Sequence, residues 1–445
     1  MDDNTTERVH DARQYLRTRK GMKEPSVTRR RLIPALVAFG LISGVFLTEV
    51  AYRIARTQEC LGRDASSLFV PNQDFGWTHR KNAVGWVFGC NGRNYEFRNE
   101  IRINRNGLRN REVEYAKPPG TRRVLVLGDS MTEAVQVSLE ETFVSQIERS
   151  LEGLAEKVEV INAGCAAYGT DNELLFYRHE GTHYEPDLVM LVLFARNDVI
   201  EISKALHPRM SIASSLFPKR YFDLDDNGEL VLDTTSVGVV ALADEAMYAR
   251  ILGFVRSEFF VVRALERLFL SQDLEAPGEN LPKAVITWRA VYAREPDEDV
   301  AQAWRLLEQL VAALRDEVLA SDAQLLVAIM PSREEVLMAL PKDRQPFIAR
   351  FTNRWDFNQA SRLAREMLDR IGVEYVDLLP PLRENARTSG ESGYYEVDIH
   401  LSSIGHTVVA EVLAQRLMRW IGSGERFAPS ERQDGDRSSR AFRSR

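Results

Sequence analysis

The chain has 445 residues, of which 44% are hydrophobic and 28% are charged, and its formal net charge is −7. This composition is typical of a globular protein and excludes collagen-like and wholly disordered chains. Residues 1–31 carry nine Lys and Arg against five Asp and Glu, so the negative charge belongs to the remainder of the chain. Because that remainder has no basic cluster, no nucleic acid partner is expected.

An uncharged apolar segment follows the basic tail. Its sequence is LIPALVAFGLISGVFLT at residues 32–48, and it extends to residue 52 if Glu49 lies at the membrane interface, which is long enough to span a bilayer. A cleaved signal peptide is the alternative, but no clear cleavage site follows the segment. Eight basic residues lie in the twenty positions before it and three in the twenty after it. The positive-inside rule therefore predicts a cytoplasmic tail at 1–31, a single transmembrane helix at 32–52 in the cytoplasmic or inner membrane, and an extracytoplasmic remainder.

Residues 57–120 are predicted to form a small β-rich lead-in. The segment has many Gly, Asn and aromatic residues and short alternating stretches, and Asn106-Gly107 is a hairpin signal. Cys60 and Cys90 lie in this segment, where an extracytoplasmic location permits a disulfide, although spacing alone leaves the pairing open. Cys165 follows an apolar strand and is expected to be a buried small residue, and no cysteine spacing indicates a metal site.

From residue 122 onward, apolar runs alternate with amphipathic stretches. The apolar runs lie at 124–127, 158–161, 188–194, 325–330 and 373–376, and the main amphipathic stretches lie at 140–154, 300–319, 358–371 and 404–421. Strand followed by helix, repeated along the chain, predicts a parallel sheet that is covered on both faces. The predicted domain is 121–422 with an insertion at about 199–301, and the polar residues 423–445 are predicted to be a disordered tail.

Part of the insertion, residues 220–233, resembles the front of a calcium-binding loop. Four of its residues between 223 and 228 have the required spacing, but the twelfth position is Thr234, where a bidentate Glu is needed. The flanking residues alternate as strands do. A β-hairpin with a polar turn is therefore predicted.

Residue types used in ester hydrolysis follow several of the predicted strands. Ser130 follows the first strand in GDS, Asn197 follows the third in FARND, and Asp398 and His400 follow the fifth in VDIH. The carboxyl ends of parallel strands share one edge of the sheet, so these side chains are expected to lie close together. Ser130 alone could simply cap a helix. Together with the other strand-end residues, Ser130 is predicted to be a nucleophile, with His400 as its base and Asp398 orienting that base. His406 is the alternative base, although its place at the start of the last helix favours a structural hydrogen bond.

Attack on an ester carbonyl generates an oxyanion, which needs preorganised hydrogen-bond donors. The backbone N–H of Ser130 at a helix N-terminus, the backbone N–H of Ala167 in NAGCAAYGT and the side-chain amide of Asn197 are predicted to supply them. Asp129 and Asp198 are predicted to fix the turns that hold Ser130 and Asn197.

With these motifs, residues 122–421 resemble the SGNH hydrolase superfamily of GDSL-type esterases and lipases, in its membrane-anchored bacterial form. The first block is GDSMTEA, with Met131 where the family name has Leu, the third is ND, and the last is DIH followed by GH. The resemblance implies an α/β fold with three layers, α/β/α, around a flavodoxin-like parallel sheet of five strands. The segment INRNGLRNRE, residues 103–112, is similar to the lead-in of membrane-anchored members of the superfamily.

The chain departs from the family pattern at two further places, and Arg196 is an unusual residue beside them. Ala167 stands where the second block has glycine, unless Gly164 or Gly169 takes that role, and Ala can serve if its backbone conformation is allowed. The last block is Asp-x-His, a form similar to that of exopolysaccharide acetylation enzymes. Arg196 occupies a position where small residues are common, and it either contacts an anionic substrate group or pairs with an acidic residue of the insertion, the latter being preferred.

The resemblance implies an extracytoplasmic serine esterase that hydrolyses short acyl esters, acetyl above all, on a carbohydrate or another ester substrate. It implies a Ser-His-Asp acyl-enzyme mechanism and neither a metal nor an organic cofactor. One alternative is an O-acetyltransferase that modifies an exported polysaccharide together with export or acetylation machinery. The other is a non-catalytic binding or scaffold protein that retains the fold.

Overall fold

The computed structural model describes residues 68–91, 94–154, 156–207, 219–233, 289–341 and 355–423, together with helical residues between 34 and 50. The chain divides into two compact units, residues 1–59 with 251–272 and residues 60–250 with 273–445. Within the described ranges, no helix is both long and apolar enough to cross a membrane. The span predicted at 32–52 is described only in part, and the tail predicted at 423–445 lies outside the described residues beyond Ser423.

The elements of the larger unit follow the predicted alternation from residue 121 onward. The strands are β1 (Phe69–Asn72), β2 (Gly76–His79), β3 (Val84–Asn91), β4 (Asn94–Arg102), β5 (Thr121–Leu127), β6 (Lys157–Asn162), β7 (Leu188–Leu193), β8 (Phe222–Leu224), β9 (Leu230–Leu232), β10 (Gln324–Ile329) and β11 (Tyr375–Asp377). The α-helices are α1 (Ser130–Glu133), α2 (Phe143–Ser150), α3 (Thr170–His179), α4 (Ala195–Glu201), α5 (Glu298–Ala320), α6 (Arg333–Leu337), α7 (Gln359–Ile371), α8 (Leu379–Ser389) and α9 (Ser403–Ser423). Short 3₁₀ turns lie at Leu139–Glu141, Gly181–Tyr184 and Ala290–Tyr292.

Five of these strands form one parallel sheet, in the order β11-β10-β7-β5-β6. Numbered by their own sequence in the chain, the strands read 2-1-3-4-5 from the β6 edge, which is the flavodoxin-like order. The chain changes its direction of travel across the sheet between β5 and β7. In open parallel sheets, ligands bind beyond the carboxyl ends of the strands at such a point.

Alternate residues of the strands face two different hydrophobic layers. One layer contains Leu125, Val189, Leu191 and Val327 with buried apolar residues of α3, α5 and α7. The other contains Val124, Val126, Met190 and Leu326 with those of α2, α8 and α9. The sheet is thus buried on both faces, as the continuous apolar runs of the sequence require. The predicted five-stranded parallel sheet with helices on both faces is confirmed.

The lead-in consists of two antiparallel pairs, β1 with β2 and β3 with β4. The hairpin expected around Asn106-Gly107 is wrong in detail, because no strand lies between this turn and β5, and β4 pairs with the preceding strand β3. The Asn104 side chain accepts the N–H groups of Asn106 and Leu108, and its amide nitrogen donates to the Arg111 carbonyl at 3.0 Å. These bonds fold the segment into an irregular loop.

Two local predictions concern the insertion and the cysteines. Strands β8 and β9 pair antiparallel around a turn in which Asp225 accepts the N–H groups of Asn227 and Glu229, so the predicted hairpin is confirmed. Cys165 is free and buried. Cys90 is disulfide-bonded, and Cys60, for which the sequence left a pairing with Cys90 open, lies outside the described residues.

Candidate active site

Ser130 is the first residue of α1, directly beyond the carboxyl end of the inner strand β5. The Asp129 side chain caps this short helix, because its Oδ1 accepts a hydrogen bond from the Met131 N–H at 2.8 Å. Gly128 is required at this corner, since a Cβ atom would lie 2.2 Å from the Oγ1 of Thr132. The glycine and the cap together turn the chain so that Ser130 stays partly exposed at the sheet edge.

His400 connects Ser130 to Asp398. The His400 Nε2 lies 2.7 Å from the Ser130 Oγ, although 270 residues separate them in the chain. The His400 Nδ1 lies 2.5 Å from the Asp398 Oδ1, which also accepts the His400 backbone N–H at 3.0 Å. These are the distances required of a nucleophile, its base and the carboxylate that orients the base. The structure therefore brings together the three residues that the strand-end motifs suggested.

His406 lies elsewhere. Its ring is buried, is stacked on Phe143 with centroids 5.8 Å apart, and accepts the Phe143 backbone N–H at its Nδ1 at 3.2 Å. Burial, with the nearby Arg109 charge, lowers the pKa of His406 to about 3. A ring nitrogen engaged in this way has the structural role that its place at the start of α9 suggested.

The loop after β6 presents Ala167 at the tip of a tight turn. The Tyr168 N–H donates to the Cys165 carbonyl at 3.2 Å, which closes the turn around Ala166 and Ala167. Ala167 is exposed and has φ of +62°, in the left-handed region. This conformation costs an L-residue about 1–2 kcal/mol relative to glycine. Ala167 therefore stands at a position where glycine would have a conformational advantage.

The two alternative glycines of this loop are used differently. The Gly164 N–H donates to the Asn162 Oδ1 at 2.9 Å, and a Cβ atom at Gly164 would lie 2.4 Å from the Glu133 backbone nitrogen. Gly169 caps the N-terminus of α3. Among the described residues, the Ala167 N–H, like that of Ala166, has no protein acceptor.

Asn197 and Asp198 lie in the first turn of α4, beyond the carboxyl end of β7. The Asn197 Nδ2 donates one hydrogen to the Asp129 Oδ2 at 3.0 Å, which leaves its second N–H for another acceptor. The Asp198 Oδ2 accepts the Phe194 N–H at 2.8 Å and so fixes the turn into the helix. Both aspartates thus hold the turns that carry Ser130 and Asn197.

A group of buried carboxyls lies beneath these turns. Burial is the largest cause that raises the pKa of Asp129 to about 6, while the Met131 N–H, His400 and the Asn197 amide oppose the shift. Burial raises the pKa of Glu201 to about 8, and burial with neighbouring carboxylates raises that of Glu173 and Asp198 well above the usual range. Burial thus disfavours the charged forms of these carboxyls.

The residue before Asn197, Arg196, is also buried. Its Nη2 lies 3.8 Å from the Oε1 of Glu334, at the start of α6. Most of the insertion lies outside the described residues, and Arg196 thus pairs with an acidic residue that follows β10. The reason is topological, because β7 and β10 are neighbours and bring their following helices together.

Residues of the lead-in also reach the site, which the sequence motifs did not indicate. The Trp77 Nε1 donates to the Ala166 carbonyl at 3.0 Å, next to the exposed turn. The His79 Nε2 lies 2.8 Å from the Glu133 Oε1 at the end of α1. Arg109 donates to three backbone carbonyls at and after that helix end, those of Glu133, Ala134 and Val137. In the sequence, the only sign of these contacts is the high content of aromatic and polar residues in the lead-in.

No protein-family model matches the chain, and no curated protein sequence matches it. Among solved structures, the acetyl xylan esterase AlAXEase is similar at 13% identity and a TM-score of 0.35, with 66% of this chain and 99% of that chain covered. TesA is similar at 13% identity and a TM-score of 0.34, with 66% and 98% covered. A catalytic variant of Axe2, an acetylxylan esterase from Geobacillus stearothermophilus, is similar at 12% identity and a TM-score of 0.34, with 70% and 97% covered. These similarities are weak, so the function proposed below rests on the side chains of this chain.

Proposed function

We propose that the protein is a serine esterase that cleaves short acyl esters through an acyl-enzyme. The observation that carries this proposal is the unbroken chain of hydrogen bonds from Ser130 Oγ to His400 Nε2 and from His400 Nδ1 to Asp398 Oδ1. Serine is a weak nucleophile without such a base, and histidine needs a carboxylate to hold the required tautomer. A scaffold protein without catalysis has no requirement for this geometry.

The reaction follows from the positions of these atoms. As Ser130 Oγ attacks the ester carbonyl, His400 Nε2 takes its proton, and Asp398 stabilises the imidazolium that forms. The N–H groups of Ser130 and Ala167 and the amide of Asn197 supply donors for the oxyanion. His400 then gives the proton to the leaving alcohol, and the acyl group remains on Ser130. Water, activated by the same histidine, releases the acid and restores the serine.

The substrate and the location are proposed from the sequence. The Asp-x-His form of the last motif supports an acetyl group on a carbohydrate as the substrate. The basic tail followed by the apolar segment supports a single-pass membrane protein whose catalytic unit lies outside the cytoplasm. The disulfide-bonded Cys90 accords with that location, because disulfides persist in oxidising compartments.

The test is the Ser130→Ala variant of the full-length chain. We expect hydrolysis of a small aryl acetate to fall by at least about 10³-fold, and labelling by a fluorophosphonate probe to be lost, because the nucleophilic oxygen is gone. Ser150→Ala is the matched control, since Ser150 is exposed at the end of α2 and bonds only to the Gln146 carbonyl among the described residues. Full activity in Ser130→Ala would refute the proposed mechanism.

A further inference from the structure

Glu96, on strand β4 of the lead-in, binds the loop that carries Asp398 and His400. Its Oε1 accepts the Val397 backbone N–H at 2.8 Å, and its Oε2 accepts the Asp398 backbone N–H at 2.9 Å. One carboxylate therefore holds two successive peptide groups, and the second belongs to the residue that orients His400. About 300 residues separate the two segments in the chain.

The loop that Glu96 holds has little regular structure of its own. A single isolated bridge pairs Tyr394 with Leu401, and the Tyr395 N–H donates to the His400 carbonyl at 3.1 Å. Between these closing contacts, residues 396–399 form no helix or strand. The closing bonds fix the two ends of this loop. The orientation of the Asp398 peptide between them depends on contacts with other segments of the chain.

Further contacts join the hairpin of β3 and β4 to the loop that carries Asp398 and His400. The Asn91 Nδ2 at the end of β3 donates to the Glu396 Oε2 at 2.9 Å, and the Phe97 ring lies 5.1 Å from that of Tyr395. The Tyr395 hydroxyl donates to the Gln136 carbonyl at 2.9 Å, in the segment just after α1. The β3–β4 hairpin, the loop of residues 394–401 (the acid–base loop) and the segment that follows Ser130 and α1 therefore pack against one another.

We propose that Glu96 is a positioning residue of the catalytic site, which acts by fixing the peptide groups of residues 397 and 398. This inference rests on the proposed function. Asp398 can orient His400 only if its own backbone is held, because a shift of about 1 Å in a catalytic group can cost about 10²-fold in rate. The lead-in is then part of the catalytic unit, and its hairpin completes the acid–base loop.

The test is Glu96→Gln in the full-length chain, measured by steady-state hydrolysis of an aryl acetate and by the rate of fluorophosphonate labelling. Glutamine keeps one acceptor but places an NH₂ group opposite a backbone N–H, so one of the two bonds is lost. We expect kcat and the labelling rate to fall by about 10- to 100-fold, with KM changed by less than about threefold. Glu96→Asp keeps both acceptors on a shorter stem and is expected to restore part of the rate.

Glu100→Gln is the matched control, because Glu100 lies on the same strand, carries the same charge and pairs with exposed Arg102. It is expected to react like the unsubstituted protein, and circular dichroism and the thermal midpoint are compared for all variants. Glu96→Gln and Glu96→Asp proteins that both react at the full rate, or that change only KM, would overturn the positioning role while leaving the esterase proposal intact. An unsubstituted protein that the probe does not label would instead overturn the esterase proposal, and the inference with it.

Discussion

The Asn197 side-chain amide is hydrogen-bonded to Asp129, with 3.0 Å between Nδ2 and Oδ2. The two residues follow different strands, β7 and β5, which are neighbours in the sheet. Asp129 also accepts the Met131 N–H with its other oxygen, so one buried carboxylate aligns both the helix that begins with Ser130 and the amide donor beside it. The proposed nucleophile and one proposed oxyanion donor are thus held by a single group.

Asp129→Asn is expected to reduce kcat by about 10²-fold. An asparagine at this position retains only one acceptor oxygen, so either the helix cap or the bond to Asn197 is replaced by a contact between two donors. Misalignment of one oxyanion donor costs about 10²- to 10³-fold in kcat. The measurement is aryl acetate hydrolysis, with Asn197→Ala for comparison. Similar losses in the two single variants and little further loss in the double variant would support the shared role, whereas fully additive losses would contradict it.

Substitutions of Ala167 are expected to separate backbone strain from donor chemistry. Glycine relieves a left-handed conformation that costs about 1–2 kcal/mol, although its greater freedom in the unfolded chain offsets about 0.5–1 kcal/mol of that gain. Ala167→Gly should therefore keep or slightly raise both kcat and the thermal midpoint. Ala167→Val should lower both, because a β-branched residue is strongly disfavoured at positive φ. The Ala167 side chain is exposed, so overpacking does not complicate the comparison. A valine variant with unchanged activity and stability would show that the turn is not held in this conformation.

His406 is expected to affect acid stability and not the reaction. Its pKa is lowered to about 3 by burial, whereas an unfolded histidine titrates near its ordinary value of 6.5. Between these values the unfolded chain binds a proton that the folded chain excludes. The free energy of unfolding should therefore fall as the pH is lowered from about 6.5 to 3, by up to about 1.4 kcal/mol per pH unit from this group.

The His406→Gln variant tests this pH dependence, because glutamine can still accept the Phe143 N–H. Urea unfolding at several pH values should show a shallower loss of stability than in the unsubstituted protein. Aryl acetate hydrolysis should stay within a few-fold of normal, while His400→Ala should lose almost all of it. An activity loss in His406→Gln as large as that in His400→Ala would transfer the role of base to His406.

Trp77→Phe is expected to loosen the turn that carries Ala167. Phenylalanine retains an aromatic ring beside Tyr168, whose ring centroid lies 5.3 Å from that of Trp77, but removes the Nε1 donor to the Ala166 carbonyl. We expect a loss of about 1 kcal/mol in stability from the missing bond and a several-fold lower kcat with little change in KM. Stability loss with unchanged kcat would show that Trp77 serves packing alone.

The sheet could be predicted from the sequence because its strands are buried on both faces and appear as continuous apolar runs. The long amphipathic helices α5, α7 and α9 were also visible, since each buries one stripe of its surface. Helix α3 was not predicted. Its first turn buries the polar residues Asp171, Asn172 and Glu173, so no apolar stripe of helical period marks it. Burial of polar groups next to the site hides the pattern on which such predictions depend.

By itself, the sequence determined which residue types stand in the short motifs, because hydrophobic periodicity places the strands and local motifs mark Ser130, Asn197, Asp398 and His400. The expectation that Asp398 and His400 directly follow the fifth strand is wrong, because helix α8 lies between β11 and their loop. The tertiary structure alone decided which histidine reaches Ser130, how Gly164 and Gly169 are used in the second loop, and that Glu96 holds the loop of Asp398 and His400. Those outcomes depend on contacts between segments up to about 300 residues apart. Such contacts arise from packing of the whole unit and leave no local trace in composition or spacing.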